Sequence, residues 1–280
     1  MKVLVTGAGG QVGREMVDAL APFEVVACTR ADLDTGDREA VLGAITNARP
    51  DAIVHCAAYT AVDACETDSD RAYRDNALAN RNVMEAARRV GAYVVALSTD
   101  YVFDGDKDEP YHEWDTPNPL SVYGASKLAG EFEIDPDCAV VRTSWVCGVH
   151  GSNAVKTIMR LGEQKGAMRF VTDQRGSPTI VSDLVVALRA FVVDRLPGTW
   201  HVTNQGALTW YEFARVVLTA AGNDPGRVEA INTADLDPPR AAVRPANSEL
   251  DNRALRLAGR PLLPNYRESL DRLVHQLMRP

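Results

Sequence analysis

Two residues four positions apart, Tyr123 and Lys127, have the types and spacing needed for acid–base chemistry. They lie in YGASKLAGE (123–131), which is predicted to begin a helix, and side chains at i and i+4 share one helix face. A free tyrosine has a pKa of about 10. A neighbouring ammonium favours the phenolate and brings proton exchange closer to neutrality. Because the YxxxK pattern is common by itself, its meaning depends on where this helix lies.

A pair of hydroxyl residues, Ser98 and Thr99, ends the apolar run YVVALST. This run is predicted to be the fourth strand of a parallel sheet, and ligands bind at the carboxyl edge of such sheets. The helix that carries Tyr123 and Lys127 comes after this strand in the chain and is expected to begin near the same edge of the sheet. We therefore expect Tyr123 and Lys127, with a hydroxyl from the Ser98-Thr99 pair, to be the catalytic residues, and Lys127 also to bind ribose hydroxyls of a nicotinamide cofactor.

A glycine-rich turn follows the first apolar run, KVLVT, and a predicted helix begins directly after it. Gly7 can make the tight turn, Gly10 lets the backbone approach a pyrophosphate, and Gly13 packs the helix on the strand. The N–H groups at the start of the helix then face the anion. A dinucleotide site is expected, and an ordinary strand-to-helix turn is the alternative.

The second apolar run, EVVACT, leads to Arg30, at a position where an NAD-selective site usually carries an acidic residue. A guanidinium there can pair with a 2′-phosphate, which favours NADPH and leaves NADH as a second candidate. The alternative is a solvated surface arginine. Asp32 and Leu33 are placed to flank an adenine. Small or flat residues after the third strand are expected beside the middle of the cofactor: Ala57, Ala58 and Tyr59.

Strands and helices alternate as far as about Val149, and the strands read as nearly continuous apolar runs. Such strands are buried on both faces, which predicts an α/β fold with a doubly wound parallel sheet of the Rossmann type. Beyond Gly151 the pattern becomes irregular, which indicates a smaller C-terminal substrate-binding lobe. We expect the dinucleotide-binding domain to take residues 1–150 with segments returning at about 168–205, and the lobe to take about 151–167 and 206–280. The stretch DLDPPRAAVRP (235–245) is predicted to be a surface loop.

Composition restricts the function further. The 280 residues include 30 Lys and Arg against 38 Asp and Glu, a net charge of −8, with no basic cluster suited to nucleic acid. The N-terminus has neither the apolar core of a signal peptide nor the length of a membrane span. Five scattered cysteines without a zinc-binding spacing fit a reducing compartment, so we expect a cytoplasmic protein. A homodimer is proposed only because two-fold dimers are the commonest soluble assemblies.

The chain resembles the extended short-chain dehydrogenase/reductase family over essentially its whole length. The resemblance begins with TGxxGxxG, from Thr6 to Gly13, and with Thr99, Tyr123 and Lys127 at the catalytic positions. Within that family it is similar to the subfamily that reduces the ketone of dTDP-4-dehydrorhamnose. The segments that carry this similarity are HCAAYTAVDACE (55–66), STDYVFDG (98–105), YGASKLAGE (123–131), RTSWV (142–146), DQRGSPT (173–179) and RPANSEL (244–250).

The resemblance implies the last step of dTDP-L-rhamnose synthesis, in which NAD(P)H gives hydride to C4 of a dTDP-4-dehydro-6-deoxy-L-sugar. Tyr123 would supply the proton while Thr99 hydrogen-bonds the carbonyl oxygen. It also implies that Gln11 and Val12 line the cofactor with the residues named above. Residues implied to face the sugar are Thr60, Val62, Asp100, Tyr101 and Trp145.

Two further residues have explicit alternative roles, and a metal site is considered without being placed. Trp145 could form a wall for the sugar or pack in the core at a strand end. Arg175 could meet the diphosphate or make a loop salt bridge. The subfamily is associated with Mg²⁺, which surface carboxylates such as Glu15 could bind, but the sequence does not place a metal site.

One related activity of the family is not expected because of a single residue, and two other functions remain alternatives. In sugar-nucleotide dehydratases of the family the hydroxyl residue is followed by Asp-Glu, whereas here Thr99-Asp100 is followed by Tyr101, so dehydration is not expected. A 4-ketoreductase of another dTDP-deoxysugar, including a dihydrostreptose type, remains an alternative. So does a non-catalytic regulatory relative that binds nucleotides, although such a protein need not keep Tyr123 and Lys127.

Overall fold

The computed structural model describes residues 1–279, which form a large parallel sheet, three two-stranded sheets and the helices around them. No helix in this range is long and apolar enough to cross a membrane. The strands are β1 (Lys2–Thr6), β2 (Glu24–Cys28), β3 (Ala52–His55), β4 (Tyr93–Thr99), β5 (Ala139–Thr143), β6 (Val146–Cys147), β7 (Met168–Val171), β8 (Arg175–Gly176), β9 (Thr179–Ile180), β10 (Gly198–His201), β11 (Leu208–Thr209) and β12 (Val228–Ile231). The helices are α1 (Gln11–Ala19), α2 (Arg38–Ala48), α3 (Val62–Cys65), α4 (Ser69–Tyr73), α5 (Ala79–Val90), α6 (Val122–Glu131), α7 (Ala154–Glu163), α8 (Val181–Asp194), α9 (Trp210–Ala220), α10 (Arg253–Leu257) and α11 (Tyr266–Leu277).

The main sheet has six parallel strands in the order β10-β5-β4-β3-β1-β2. Its inner strands are buried from both sides, and Val3, Leu4 and Val5 of β1 are fully inaccessible to solvent. Helices α2 and α5 pack together, as do α1 and α8. The predicted doubly wound α/β fold is confirmed. The chain order reverses between β1 and β3, which is where open sheets of this kind bind their ligands.

A second hydrophobic core forms the smaller lobe, where α7 and α11 each pack against α9. The chain returns to the main sheet with α8 and β10, within the segment 168–205 expected to return. That segment begins too early, however, because β7 pairs with β12 and Met168 belongs to the core of the lobe. The core of the lobe also includes Ile180 of β9, and β8 pairs with β11, so we propose that the lobe extends to about residue 180 before α8 returns to the main sheet.

The hydrophobic pattern predicts a continuous strand, AVVRTSWV (139–146), and a continuous helix over 70–90, and both elements are interrupted in the structure. The apolar run 139–146 is divided into β5 and β6 because Trp145 has a left-handed backbone, with φ of 45°. The helical pattern 70–90 is divided by a π-helical turn at Arg74–Leu78 between α4 and α5. Such wide turns occur mostly as single insertions in α-helices, frequently at functional sites.

Helix α1 lies so close to the turn after β1 that only glycine fits at position 13. A Cβ there would lie 2.2 Å from the carbonyl oxygen of Gly7, which is backbone and cannot move aside. We predict that Gly13→Ala lowers the free energy of unfolding by about 1–3 kcal/mol, the usual cost of overpacking.

The matched control is Gly43→Ala in α2, where an added Cβ meets no atom within 4 Å. Because alanine is the better helix former, this change should raise the free energy of unfolding by up to about 1 kcal/mol. Urea denaturation of both variants measures the difference. Equal stability of the two variants would contradict the packing argument.

Candidate active site

The first turn of α6 is held against the loop that follows β4. Ser121 caps the helix by accepting a hydrogen bond from the backbone N–H of Gly124 at 3.2 Å. A Cβ on Gly124 would lie 2.1 Å from the carbonyl oxygen of Tyr101. This close approach sets Tyr123 beside Thr99 at the carboxyl end of the main sheet.

Tyr123 is almost fully buried, with 8% of its surface exposed. Burial raises the pKa of its phenol well above the ordinary value, while a hydrogen bond with Thr99 acts in the opposite direction. Its ring meets that of Tyr101 edge-on at 5.6 Å between centroids. The phenol therefore stays protonated near neutrality and is available as a proton donor.

Lys127 lies one turn further along α6 and is also buried. Its Nζ donates a hydrogen bond to the carbonyl oxygen of Leu97 at 2.7 Å. Burial lowers the pKa of Lys127 to about 8, and the charge of Glu131 opposes that shift. The ammonium thus remains the main form around pH 7. The structure brings Thr99, Tyr123 and Lys127 into one constellation, as their sequence positions predicted.

Asp100 follows Thr99 in the chain and is buried, and one of its carboxylate oxygens has no hydrogen-bond partner among the described residues. The Thr99 hydroxyl donates to its Oδ1 at 3.0 Å, while Oδ2 has no hydrogen-bond partner among the described residues. Burial raises the pKa of Asp100 to about 6. Around neutrality Asp100 thus offers a hydrogen-bond acceptor beside Thr99.

A cavity of about 420 Å³ lies beside the glycine turn, at the chain reversal of the main sheet. Gly7 has a positive φ of 64°, and a Cβ there would lie 2.7 Å from the backbone nitrogen of Ala57. The loop is therefore packed as tightly as a pyrophosphate cradle requires, which fits a dinucleotide. Six residues predicted for the cofactor or its turn line this cavity: Gly7, Gly10, Arg30, Leu33, Ala57 and Ala58.

Arg30 lies at the cavity with two-thirds of its side chain exposed, and its guanidinium is 3.4 Å from Asp75. Asp32 instead turns back to accept hydrogen bonds from the backbone and hydroxyl of Thr29, at 2.9 and 2.6 Å. Asp32 is therefore not among the residues that line the cavity. Arg30 therefore remains available to an anionic group on a bound ligand.

Other predicted cofactor residues connect parts of the structure. The Gln11 side chain joins α1 to the segment after β5, donating to the carbonyl of Val146 and accepting from the N–H of Gly148, each at 3.0 Å. Val12 is half-buried and packs against the core of the main sheet. The backbone N–H of Tyr59 is hydrogen-bonded by the side chain of Asn76, which lies in the π-helical turn.

Asn76 is a site residue that the sequence analysis missed. Its side chain accepts from the backbone N–H of Tyr59 at 2.8 Å and donates to the Ser126 hydroxyl of α6 at 2.9 Å. It is 1% exposed. The π-helical turn places this amide, which ties the loop after β3 to the helix of Tyr123. Nothing in the local pattern of the sequence indicates such a turn.

A second cavity, of about 310 Å³, lies between the main sheet and the lobe. Tyr101 lines it, so the cavity reaches the constellation. Phe170 and Trp210 add aromatic surface. Three cationic side chains also line it, which makes the cavity suited to an anionic ligand: Arg169, Arg240 and Arg244.

Arg244 is the most buried of these three arginines. Its guanidinium binds Asp63 of α3 through two hydrogen bonds, at 2.7 and 2.6 Å, and holds the pKa of that carboxyl at about 2. Arg240 lies 3.7 Å from the same carboxylate and is half exposed. The stretch 235–245 was predicted to be a surface loop, and the structure adds that it brings both guanidinium groups to the cavity. The segment RPANSEL contains Arg244, but its sequence alone indicates no role for this arginine.

The predicted substrate residues have different positions. Trp145 stacks on Trp210 with ring centroids 3.7 Å apart, so one face of its indole is already covered. Arg175 pairs with Glu249 at 3.0 Å, which is the loop salt bridge considered as its alternative. Thr60 is exposed before α3, and Val62 packs in the small cluster that contains Tyr123.

No group of three His, Cys, Asp or Glu side chains that could hold a metal ion is found in residues 1–279. Glu15 accepts from the backbone N–H of Val149 at 3.4 Å. Two histidines, His55 and His201, are buried, and burial lowers the pKa of each to about 3. These two imidazoles are therefore neutral.

Comparisons with known proteins agree with this geometry. The sequence matches the family described as RmlD substrate binding domain over residues 1–279. A dTDP-4-dehydrorhamnose reductase from Burkholderia thailandensis is 38% identical over 298 residues, covering 99% of each chain. A probable dTDP-4,6-dihydroxy-2-methyloxan-3-one 4-ketoreductase from Streptomyces antibioticus is 41% identical and covers 96% of this chain and 93% of its own.

Among solved structures, a dTDP-4-dehydrorhamnose reductase from Bacillus anthracis, in complex with NADP, superposes with a TM-score of 0.94. It is 39% identical and covers 98% of this chain and 99% of its own. The fold, the glycine turn and the Thr-Tyr-Lys constellation thus occur together in a chain that matches these relatives from end to end. The chain belongs to the dTDP-4-dehydrorhamnose reductase family of NAD(P)H-dependent sugar-nucleotide oxidoreductases.

Proposed function

We propose that the protein reduces the C4 ketone of dTDP-4-dehydro-L-rhamnose to dTDP-L-rhamnose with NADPH. The observation that carries this proposal is the contact between Tyr101 and Tyr123. Tyr101 lines the arginine-rich cavity, and its ring touches the phenol donor of α6. A sugar nucleotide in that cavity would therefore present its sugar to Tyr123.

A reduced nicotinamide supplies the hydride when the cofactor is bound. Tyr123 donates its phenolic proton to the ketone oxygen as the new C–H bond forms at C4. The Lys127 ammonium stabilises the phenolate that remains, and Thr99 orients the phenol and the ketone oxygen. Near neutrality Tyr123 is protonated and Lys127 is mostly cationic, which is the pair of charge states that this step requires.

The lobe residues supply the affinity for the nucleotide. We assign the diphosphate to Arg240, because a guanidinium group binds phosphate oxygens in a bidentate manner. Arg244, whose guanidinium is occupied by Asp63, adds a second positive charge to the cavity. Phe170 and Trp210 offer flat apolar surface for the thymine ring. Thr60, Val62, Asp100 and Trp145 remain proposed contacts of the sugar.

For the cofactor we propose NADPH in the cavity beside the glycine turn. Arg30 is positioned at that cavity and is exposed enough to meet a 2′-phosphate. The NADP complex of the Bacillus anthracis relative supports the same choice. NADH stays the second candidate.

We further propose that the protein acts in a reducing cytoplasm as a homodimer. All five cysteines are free in the structure, which supports a reducing compartment. Analytical ultracentrifugation at working concentration tests the dimer, and a monomer would remove it.

A direct assay tests the reaction. dTDP-4-dehydro-L-rhamnose, generated in situ by an epimerase, is mixed with the protein and NADPH, and cofactor absorbance and product NMR are recorded. Formation of dTDP-L-rhamnose is expected. Consumption of NADPH only with another dTDP-4-keto sugar would favour the second candidate, a different 4-ketoreductase, which the Streptomyces antibioticus relative supports. Binding of both ligands without turnover would favour the non-catalytic relative.

Replacing Tyr123 by phenylalanine removes the proton donor and keeps the ring. We predict that Tyr123→Phe lowers kcat by at least about a hundredfold and leaves NADPH affinity within about twofold of the wild type. The control is Tyr73→Phe, at a tyrosine of α4 that is 43% exposed. Steady-state kinetics and fluorescence titration separate the two effects, and a Tyr123→Phe variant with wild-type kcat would exclude the assigned role.

Removing the charge of Arg240 tests the diphosphate site. We predict that Arg240→Gln raises KM for the sugar nucleotide about tenfold, since a charge-assisted hydrogen bond contributes about 1.5–3 kcal/mol, with little change in kcat. Arg256→Gln is the matched control because both arginines are half exposed and ion-paired to an aspartate. The same rise in KM for both variants would show that overall charge is responsible.

Removing the guanidinium of Arg30 tests cofactor selection. We predict that Arg30→Ala raises KM for NADPH about tenfold, through loss of a charge-assisted pair, and leaves KM for NADH nearly unchanged. Arg38→Ala is the control, because Arg38 is an exposed arginine paired with Glu85 at the start of α2. Equal effects of Arg30→Ala on both cofactors would assign Arg30 to the surface.

A further inference from the structure

A buried ion pair lies behind the constellation, between α6 and β5. The Arg142 guanidinium binds the Glu131 carboxylate with hydrogen bonds of 2.9, 3.2 and 2.7 Å. Only 6% and 8% of the two side chains are exposed. Burying a charge pair is costly in free energy, and apolar residues of the same volume often serve stability equally well. The pair therefore calls for an explanation beyond packing.

Glu131 also contacts the strand that carries the catalytic threonine. The hydroxyl of Ser98, the residue before Thr99, donates to Glu131 Oε1 at 2.5 Å. Tyr123, Lys127 and Glu131 follow one another at intervals of four residues, so they share one face of α6. The carboxylate is thus placed one turn beyond the ammonium and is tied to the end of β4.

The groups around Lys127 show what this carboxylate does. Cys56 after β3 and His55 in β3 are buried, with pKa values of about 12 and about 3, so both are neutral near pH 7. Tyr123 on α6 is neutral as well, and Asp100 after β4 acts on Tyr123. Glu131 is the charged group that opposes the effect of burial on Lys127.

We propose that Glu131 is a positioning residue that keeps Lys127 cationic and fixes α6 against the ends of β4 and β5. Arg142 and Ser98 hold the carboxylate in place, and the carboxylate in turn stabilises the ammonium that Tyr123 needs. This inference rests on the proposed function only for its kinetic consequence. The effect on the charge of Lys127 exists whether or not the substrate is correctly assigned.

The test is the titration of Lys127 in the full chain. The protein contains five lysines, so their ¹³C-labelled ε-carbons can be resolved by NMR, and Lys127→Met assigns the signal. In Glu131→Gln the pKa of Lys127 should fall by about one unit, the usual effect of losing a neighbouring opposite charge. The alkaline limb of kcat/KM should move by the same amount toward acid pH.

The matched control is Glu133→Gln. Glu133 follows α6 and is likewise bound by an arginine through two hydrogen bonds, but on the surface, with Arg81. It should leave both the Lys127 titration and the alkaline limb unchanged. A Glu131→Gln protein that is less stable but has wild-type values for both would overturn the proposal, because a purely structural role predicts that result.

A double variant covers the case in which Glu131→Gln does not fold. Glu131→Gln with Arg142→Met removes both members of the ion pair, so no guanidinium is left without its partner in the interior and the protein should fold. The pKa of Lys127 should remain about one unit below the wild-type value, and a return to the wild-type value would overturn the proposal. If the wild type itself does not turn over the proposed substrate, the proposed function fails while the NMR titration still decides the role of Glu131.

Discussion

The close contact between the first turn of α6 and the loop after β4 is the constraint on which the site depends. Gly124 allows it, because any side chain there would collide with the carbonyl oxygen of Tyr101. The contact brings the phenol of Tyr123 to the hydroxyl of Thr99 and places Tyr101 between them and the lobe. In the proposed mechanism, a shift of α6 by about 1 Å would lower turnover, because a misplacement of that size can cost about a hundredfold in rate.

In the proposed function, the cavity beside the glycine turn recognises the cofactor and the cavity lined by Tyr101 recognises the sugar nucleotide. The turn after β1 forms a cradle made of backbone, where charge comes from N–H groups and from the exposed Arg30. In the second cavity the charge comes from guanidinium groups instead, and Asp63 of α3 holds Arg244 in place. The ion pair therefore ties the stretch 235–245 to α3, although the two residues are 181 positions apart in the chain.

The sequence predicted the elements whose chemistry is local. Strand, glycine turn and helix follow one another in the chain, so Gly7 to Gly13 could be recognised from order alone, and the i, i+4 spacing placed Lys127 beside Tyr123. Residues whose partners lie in other elements of the fold were missed. Asn76 depends on a π-helical turn, Arg244 pairs with a residue 181 positions away, and Glu131 acquires its partner Arg142 from another element. Spacing along the chain contains no signal for such pairs.

The central claim is that hydride moves from the cofactor to C4 of the sugar while Tyr123 supplies the proton. The most direct measurement uses NADPH deuterated at the transferable C4 position of its nicotinamide, with the product examined by NMR. The account predicts deuterium at C4 of dTDP-L-rhamnose and none at the other sugar carbons. Oxidised cofactor without deuterium in the sugar, or deuterium at another carbon, would contradict it.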